Sequence, residues 1–359
     1  MGGEKAFWAA KRGRAGGWLR WRGTAAILAA LFVAAWAWWG SWPLDPQNHR
    51  PVYLTVHPGE SAAEVGVALR QAHLIRSALW FALFSRLSGA SRSLKSGVYR
   101  LTAADSPAKM LTQMVKGEVA VIRVTIPEGW TTAQVVARLV QAHIGTPAEY
   151  RRLLSQPSPG MPAPAKGTQD PWEGYLYPAT YAFPWGETAS GALQLMWKTF
   201  QKQAIQGLYR QDPHPPLPLP QWVTLASIVQ AEVARPEDAP LVAGVFMNRL
   251  KSGIPLQSDA TVRYAEELLA RSGEKGASGL QVDSPYNTYL HKGLPPSPID
   301  NPGLVALKAA LHPAQVPYLY FVSTPDGRIL FATTYQEQLK HLNALRSQPR
   351  SAPSGQGKS

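Results

Sequence analysis

The stretch from residue 223 to 234 has apolar residues at helical spacing. Apolar positions recur three and four residues apart, at Leu225, Ile228 and Val229. At roughly 100° per residue these positions share one helix face. Pro220 suits a first turn, and Pro236 favours a stop. Glu232 falls on the same apolar face, so the pattern predicts a helix with one carboxyl group on its buried side.

A carboxylate on a buried face costs free energy when it is charged, and its usual response is a raised pKa. A carboxyl group that keeps its proton near neutral pH can act as a general acid. The helix therefore makes Glu232 a candidate catalytic residue. A structural ion pair with Arg235 or Arg249 explains the same pattern equally well at this point.

A second apolar stretch lies near the start of the chain. Residues 24–43 carry no charge and are long enough, at about 30 Å, to cross the hydrocarbon core of a membrane. Residues 1–23 hold six basic side chains and one acid, and four tryptophans crowd the far end of the stretch. This pattern predicts a single transmembrane helix with the N-terminus in the cytoplasm. The alternative is a cleaved signal peptide with a small-x-small site at residues 35–37, and either reading exports the rest of the chain.

Charge and composition then exclude several classes of function. The net charge is +13, but much of it lies in residues 1–23 and in the tail after Lys340. The middle of the chain has no patch of arginines interleaved with aromatics, which argues against a nucleic-acid partner. The absence of cysteine excludes thiolate zinc sites, disulfides and cysteine nucleophiles. The eight histidines show no metal-ligand spacing, so no metal site is predicted.

The remaining pattern predicts an α+β protein with two folded parts. After a polar linker at residues 45–51, residues 52–120 read as strand, helix, helix, strand and a further helix, an order that matches a small LysM-like subdomain. Residues 121–345 alternate strands and helices and are predicted to form a mixed α/β domain, the one that would carry any catalytic site at Glu232. Within it, residues 256–262 alternate like an extended segment. Residues 346–359 are rich in Ser, Pro and Gly and are predicted to be disordered.

Several motifs, in their order and spacing, resemble the MltG (YceG-like) endolytic murein transglycosylases. They cover roughly residues 50–345 and include Pro127-Glu-Gly-Trp-Thr131, Glu173-Gly-Tyr-Leu-Tyr-Pro178, Leu225-Ala-Ser-Ile-Val-Gln-Ala-Glu232, Val245-Phe-Met-Asn-Arg-Leu250, Leu256-Gln-Ser-Asp259, Tyr286-Asn-Thr-Tyr289, Gly293-Leu-Pro-Pro296, Ile299, Asn301-Pro-Gly303 and His312-Pro313.

The resemblance implies a lytic transglycosylase in the inner membrane, with its catalytic domain in the periplasm, that cuts nascent peptidoglycan strands and so ends their elongation. It implies that one acid in the helix first protonates the glycosidic oxygen and then acts as a base, leaving a 1,6-anhydro-muramic end. Many relatives carry two acids where this chain has Gln230 and Glu232, so the role falls on Glu232. No cofactor is implied. A peptidoglycan synthase is a candidate neighbour.

Further polar residues are candidates for substrate contact. They are Gln257, Asp259, Asn287, Tyr289, Glu173 and Tyr177. Hydrogen bonding within turns is an equal alternative for the first three, and a structural role is favoured for Glu173. Two other functions stay open: a hydrolase that pairs Glu232 with Asp259 or Glu173, and a non-catalytic, membrane-tethered wall-binding protein.

Overall fold

The computed structural model describes Leu28, residues 31–273 and residues 278–347. The chain has mixed α and β structure, with short two-stranded sheets among many helices. Two compact units are distinguished: one runs to Ile122 and includes Pro184–Gly186, and the other comprises Arg123–Phe183 and the chain from Glu187 onward.

From residue 52 onward, the first unit is built mainly of two strands and three α-helices. In chain order they are β1 (Val52–Val56), α1 (Ala62–Gln71), α2 (Ala78–Leu87), β2 (Gly97–Leu101) and α3 (Pro107–Lys116). The strands pair antiparallel, with Val52 opposite Leu101, and the predicted capping box of Ser61 and Glu64 opens α1. The predicted strand-helix-helix-strand order is therefore present. Its LysM-like character stays a prediction.

The segment before β1 is bonded to this unit. Residues 31–41 are helical, and the Arg76 guanidinium then donates to the main-chain oxygens of Trp42, Pro43 and Leu44 at 2.9, 2.6 and 3.1 Å. Within residues 31–273 and 278–347, no helix is both long and apolar enough to cross a membrane. The predicted span of residues 24–43 begins in a part of the chain that the structure does not describe. The predicted cytoplasmic segment 1–23 lies wholly outside the described residues.

The second unit holds most of the helices. In chain order its elements are β3 (Val121–Thr125), α4 (Thr132–Gln141), α5 (Pro147–Leu154), β4 (Thr180–Pro184), α6 (Ala189–Phe200), α7 (Leu219–Glu232), α8 (Ala239–Lys251), α9 (Asp259–Ser272), α10 (Leu304–Leu311), β5 (Tyr320–Ser323), β6 (Ile329–Ala332) and α11 (Tyr335–Ser347). β3 pairs with β4, and β5 pairs antiparallel with β6. Helix α11 runs to Ser347, so it includes the first two residues of the tail 346–359 that was predicted to be disordered. Residues 348–359 lie outside the described part of the chain.

Helix α7 is the buried centre of this unit. Every residue from Trp222 to Val229 is buried, which is expected of a helix that is apolar all round rather than on one stripe. The Trp222 indole N–H donates to the Leu307 main-chain oxygen at 2.9 Å and so joins α7 to α10. Its two ends approach solvent, at residues 219–221 and from Gln230 to Glu232. The chain becomes extended at Val233.

One local prediction is wrong. The alternation in residues 256–262 predicts an extended segment, but α9 begins at Asp259. The alternation of apolar and polar residues is too short to outweigh the good helix formers that follow, such as Ala265 and Leu268. Asp259 therefore stands in the first turn of a helix, and Gln257 precedes it with a positive φ of 55°.

Candidate active site

A groove lies beside the C-terminal end of α7. Its volume is about 360 Å³. The lining residues come from α7, α8, the start of α9 with the segment before it, β5, α11 and the loop of Tyr289: Glu232, Arg249, Leu256, Gln257, Asp259, Tyr289, Phe321, Val322, Ser323 and Leu342. Carboxyl, guanidinium, amide and phenol groups thus face one space, together with apolar side chains. Such a mixture suits a sugar, which presents hydroxyls at its rim and C–H bonds on its faces.

Glu232 lines this groove as a half-buried carboxyl group. Its Oε1 accepts a hydrogen bond from the Ser258 hydroxyl at 2.6 Å. Among the described residues, no Lys, Arg or His nitrogen lies within 4.0 Å of it. Arg235 instead donates to the main-chain oxygen of Asp326. The structural ion pair considered from the sequence is therefore not present in this part of the chain.

The surroundings of Glu232 favour its protonated form. Burial raises the pKa of its carboxyl group, and the charge of Asp259 adds to the rise. The Ser258 hydroxyl, the Arg263 guanidinium and the Ala260 main-chain N–H oppose it, but the net direction is upward. A carboxyl group with a raised pKa beside an open groove can donate a proton to a bound molecule.

A buried hydroxyl network fixes Ser258. Its main-chain N–H donates to Thr288 Oγ1 at 3.0 Å, and its carbonyl accepts from the Thr261 hydroxyl at 2.7 Å. The Thr261 and Thr288 hydroxyls also bond each other at 2.8 Å. Although Ser258 is the N-cap residue of α9, its side chain makes no capping bond, because it is directed to Glu232. Sequence reasoning missed this role, even though Ser258 lies within the Leu256–Asp259 motif.

Asp259 and Tyr289 form a second polar pair in the groove. The Tyr289 hydroxyl donates to Asp259 Oδ1 at 2.6 Å, and both side chains line the same space as Glu232. Asn287, by contrast, is buried. Its amide nitrogen donates to the Leu280 and Val282 carbonyls at 3.0 and 2.8 Å, and its oxygen accepts from the Tyr289 main-chain N–H. Asn287 therefore positions the Tyr289 loop and does not line the groove.

Arg249 is a buried residue of the groove wall that holds neighbouring main-chain segments in place. It is 7% exposed, and its guanidinium donates to the main-chain oxygens of Leu319, Pro255 and Leu256 at 2.6, 3.1 and 2.8 Å. It also donates to Gln257 Oε1 at 3.3 Å. A planar donor with several fixed partners is a role for which Arg is suited and Lys is not. Arg249 thus joins Leu319, the residue before β5, to the segment that carries Gln257.

Glu173 lies apart from the groove, which agrees with the structural role favoured for it from the sequence. It is fully buried, and its carboxyl oxygens accept from the Thr132 main-chain N–H at 2.8 Å, the Tyr264 hydroxyl at 3.1 Å and the Asn301 amide at 3.4 Å. Burial, with the nearby Asp170, raises the pKa of Glu173 to about 8. Tyr177 does not line the groove either: its carbonyl accepts from the Tyr181 hydroxyl at 2.5 Å. The structure thus brings Gln257, Asp259 and Tyr289 to Glu232, but not Glu173, Tyr177 or Asn287.

This chain is similar to a known protein family and to several known proteins. The model of the YceG-like family matches residues 54–344. Two similar proteins are named endolytic murein transglycosylase. The one from Streptococcus pneumoniae (strain D39) is 29% identical over 84% of this chain and 60% of its own length, and the one from Bacillus subtilis (strain 168) is 28% identical over 83% and 86%.

A solved structure gives the same indication. The crystal structure of a YceG-like protein from Listeria monocytogenes is 29% identical to this chain, with a TM-score of 0.52, over 81% of this chain and 99% of that one. This chain spans about three fifths of the pneumococcal relative's length. The family match extends over both compact units and contains every residue of the groove. The chain belongs to the YceG-like family.

Proposed function

We propose that this chain is an endolytic peptidoglycan lytic transglycosylase that cleaves the bond between N-acetylmuramic acid and N-acetylglucosamine and leaves 1,6-anhydro-muramic ends. The observation that carries the proposal is a half-buried carboxyl group, with a raised pKa and no cationic partner among the described residues, facing a polar groove. The similar proteins named endolytic murein transglycosylase support the choice of substrate and reaction.

One carboxyl group is sufficient for this reaction. Glu232 donates its proton to the glycosidic oxygen as the bond breaks toward an oxocarbenium-like state. The resulting carboxylate then accepts the proton of the muramic acid 6-hydroxyl, whose oxygen attacks C1 of the same sugar. The Ser258 hydroxyl stabilises that carboxylate between the two steps. Because the nucleophile belongs to the substrate, proximity contributes much of the rate.

A second candidate is a hydrolase that uses two carboxyl groups. The observation that favours it is that Asp259 lines the same groove and that its charge acts on Glu232. In that mechanism Asp259 would activate a water molecule or attack the sugar. The bond between Asp259 and the Tyr289 hydroxyl argues for a positioning role instead, since it occupies one of the carboxylate oxygens. Glu173 has no opening to the groove and is not a partner in this scheme.

Mass spectrometry of digested, uncross-linked glycan strands tests the function. Anhydro ends, each lighter than a reducing end by one water, support the transglycosylase. Reducing ends alone would replace it with the hydrolase. If strands are bound and stay intact, the chain is a wall-binding protein, which is the remaining alternative.

The pH dependence of cleavage tests the environment of Glu232. Two variants should shift the Glu232 pKa in opposite directions. Activity needs the protonated acid, so kcat/KM falls as pH rises through the Glu232 pKa. Ser258→Ala removes a hydrogen bond that lowers this pKa, so the fall should move to higher pH. Asp259→Asn removes a charge that raises the pKa, so the fall should move to lower pH. Shifts of the same sign in both variants would contradict the assignment.

The place of action is also part of the proposal. A membrane anchor at residues 24–43, with the N-terminus in the cytoplasm and the catalytic unit in the periplasm, would hold the enzyme where strands are made. A peptidoglycan synthase would then be its neighbour. The support is the uncharged length of this segment and the basic residues before it. Alkaline extraction of membranes tests the anchor, and release of the full-length chain into the soluble fraction would refute it.

A further inference from the structure

Helix α2 of the first unit is apolar on the side that faces away from the core. On the core side, Phe81 and Ser85 are fully buried. Three leucines four residues apart share the opposite face: Leu79, Leu83 and Leu87 are 78%, 42% and 75% exposed. A helix that is apolar all round is normally covered on every side, and exposed apolar patches mark interaction sites. These three residues, the leucine face, therefore indicate a surface that a partner covers.

The leucine face lies beside the helix of residues 31–41, which belongs to the second half of the predicted membrane span. The rings of Trp36 and Trp80 meet edge to face, with centroids 5.4 Å apart. Gly40 is buried against the Trp80 ring, where an added Cβ would come within 2.5 Å of a ring carbon. Trp80 and Leu83 are neighbours on the surface of α2, being three residues apart. Helix α2 thus packs against the last turns of the predicted span.

This contact sets the depth of α2 if residues 24–43 cross a bilayer. Trp36 and Gly40 lie about 10 and 5 Å before Pro43, the end of the span, at 1.5 Å per residue. A helix that touches both positions lies at the boundary between lipid headgroups and acyl chains. Interfacial helices bury their apolar faces at this depth. The leucine face would then meet lipid and not water.

The chain that leaves the span is suited to the same depth. Main-chain carbonyls beyond a helix end need a donor where water is scarce. The Arg76 guanidinium supplies donors to the three carbonyls of residues 42–44, and it lies over the Trp39 ring at 5.6 Å from the centroid. Trp38, Trp39 and Trp42 are each at least half exposed, as expected of an aromatic belt at a membrane surface.

The charge around α2 suits anionic lipid. No acidic residue occurs between Val65 and Ala104, whereas that stretch holds six basic ones: Arg70, Arg76, Arg86, Arg92, Lys95 and Arg100. Arg86 is exposed on α2 itself, and Arg92 is exposed shortly after its end. Leucines and aromatic rings flanked by Lys or Arg are typical of helices that lie on membranes, because the cations attract anionic headgroups while the apolar side chains enter the lipid.

We propose that the leucine face docks on the outer surface of the bilayer that holds the span, and that its partner is lipid containing anionic headgroups. The first unit is then held at the membrane by two contacts, the span and α2. The inference rests on the proposed membrane anchor at residues 24–43. It goes beyond that anchor, because a span alone places no side of the folded unit against the lipid.

The cysteine-free sequence permits a direct measurement of depth. Full-length chains carrying Leu83→Cys or Thr112→Cys are labelled with an environment-sensitive fluorophore and reconstituted in vesicles of phosphatidylethanolamine and phosphatidylglycerol. Lipids with a nitroxide at a shallow acyl position should quench the label at residue 83 roughly twofold, as expected for a depth of about 5–10 Å. Thr112 is exposed on α3 and is the matched control, whose label should keep its emission. Equal quenching at the two positions would overturn the docking.

A label at a third position separates this proposal from the anchor. Phe32 lies within the predicted span and is exposed on its helix. If a Phe32→Cys label is not quenched by lipid, the anchor fails and the docking fails with it. If the labels at Phe32 and Thr112 behave as expected but the one at Leu83 stays in water, only the docking fails. The release of anhydro ends tests the proposed function independently of all three labels.

Other occupants of the leucine face give a different result. A label at Leu83 that is shielded from a water-soluble quencher, yet not quenched by lipid nitroxide, would mean that protein covers the face and would overturn the proposal. If that protein is a second copy of the chain, unlabelled Leu83→Cys chains should form a disulfide-linked dimer in the same vesicles. Lipid docking predicts that they stay monomeric.

A change in the leucine face supplies the second readout. Leu79→Gln together with Leu87→Gln should reduce lipid quenching at Leu83 toward the level at Thr112, since interfacial binding scales with the apolar area buried. The melting temperature should stay the same, because both side chains are exposed in the folded unit. Val67→Gln, which alters an exposed apolar residue of α1, is the control and should leave the quenching unchanged. Undiminished quenching in the double variant would show that these leucines do not hold α2 in the lipid.

Discussion

Replacing Glu232 by Gln should lower the rate of strand cleavage by about 10²- to 10⁴-fold, the usual contribution of a general acid. The amide is close to the carboxyl group in shape and can still accept the hydrogen bond from Ser258, so the groove should keep its form. It has no proton to give to the glycosidic oxygen and cannot take one back. The release of anhydro ends from purified strands measures the effect.

The matched control is Glu237→Gln, which alters an exposed acid between α7 and α8 and should leave the rate within about twofold. Circular dichroism and glycan binding of the Glu232→Gln chain should equal those of the unmodified chain, because the amide keeps the size of the carboxyl group and the hydrogen bond from Ser258. Residual cleavage above about one tenth of the normal rate would show that another group donates the proton.

Replacing Arg249 by Met should destabilise the second unit by about 1–3 kcal/mol, the usual cost of leaving a buried acceptor without its hydrogen-bond donor. Met fills a similar volume but has no donors, so the main-chain oxygens of Leu319, Pro255 and Leu256 lose their partner. The stacking of the guanidinium over the Tyr320 ring, at 5.1 Å, is lost as well. Urea unfolding followed by tryptophan fluorescence measures the loss.

Arg235→Met is the control for that measurement. Arg235 also bonds one main-chain oxygen, that of Asp326, but it does so at an exposed site, and its loss should cost less than about 1 kcal/mol. Equal losses in the two variants would show that the buried donors of Arg249 add nothing to stability. Arg249→Lys is informative too, since it keeps the charge but not the planar donor geometry.

The sequence predicts helix α7 well because its apolar spacing and its prolines act locally. The partial burial of Glu232 could be predicted for the same reason. The resemblance to the family's motifs points to the same residue. The strand pair β1–β2 also corresponds to two predicted strands, since short alternating runs between turns are local signals. The family itself was identified from motif order and is confirmed.

Other features depend on contacts that are distant in sequence. The side chain of Ser258 could serve as a helix cap, and only the position of Glu232, 26 residues earlier, directs it elsewhere. Glu173 is a polar residue of a loop-like segment, yet it is buried and bonded to Thr132, Tyr264 and Asn301, which lie far away in the chain. No local pattern separates Asn287, which holds a loop, from Asp259, which faces the groove. Burial of that kind is a property of the tertiary fold.

The Arg76 contacts tie residues 42–44 to the folded first unit. Residues 45–51 read as a spacer, but the Asp45 main-chain N–H bonds the Ala103 carbonyl, and the Ala104 N–H bonds the Asn48 carbonyl. Together with the three carbonyls held by Arg76, these bonds make the segment part of the folded unit. If residues 24–43 cross a bilayer, the distance between the first unit and the lipid is set by the chain up to Trp42, because the chain is bonded to the unit from that residue onward. Extra residues inserted after Leu44 would then bulge outward without extending the enzyme's reach toward the wall, whereas the same insertion before Trp42 would lengthen it.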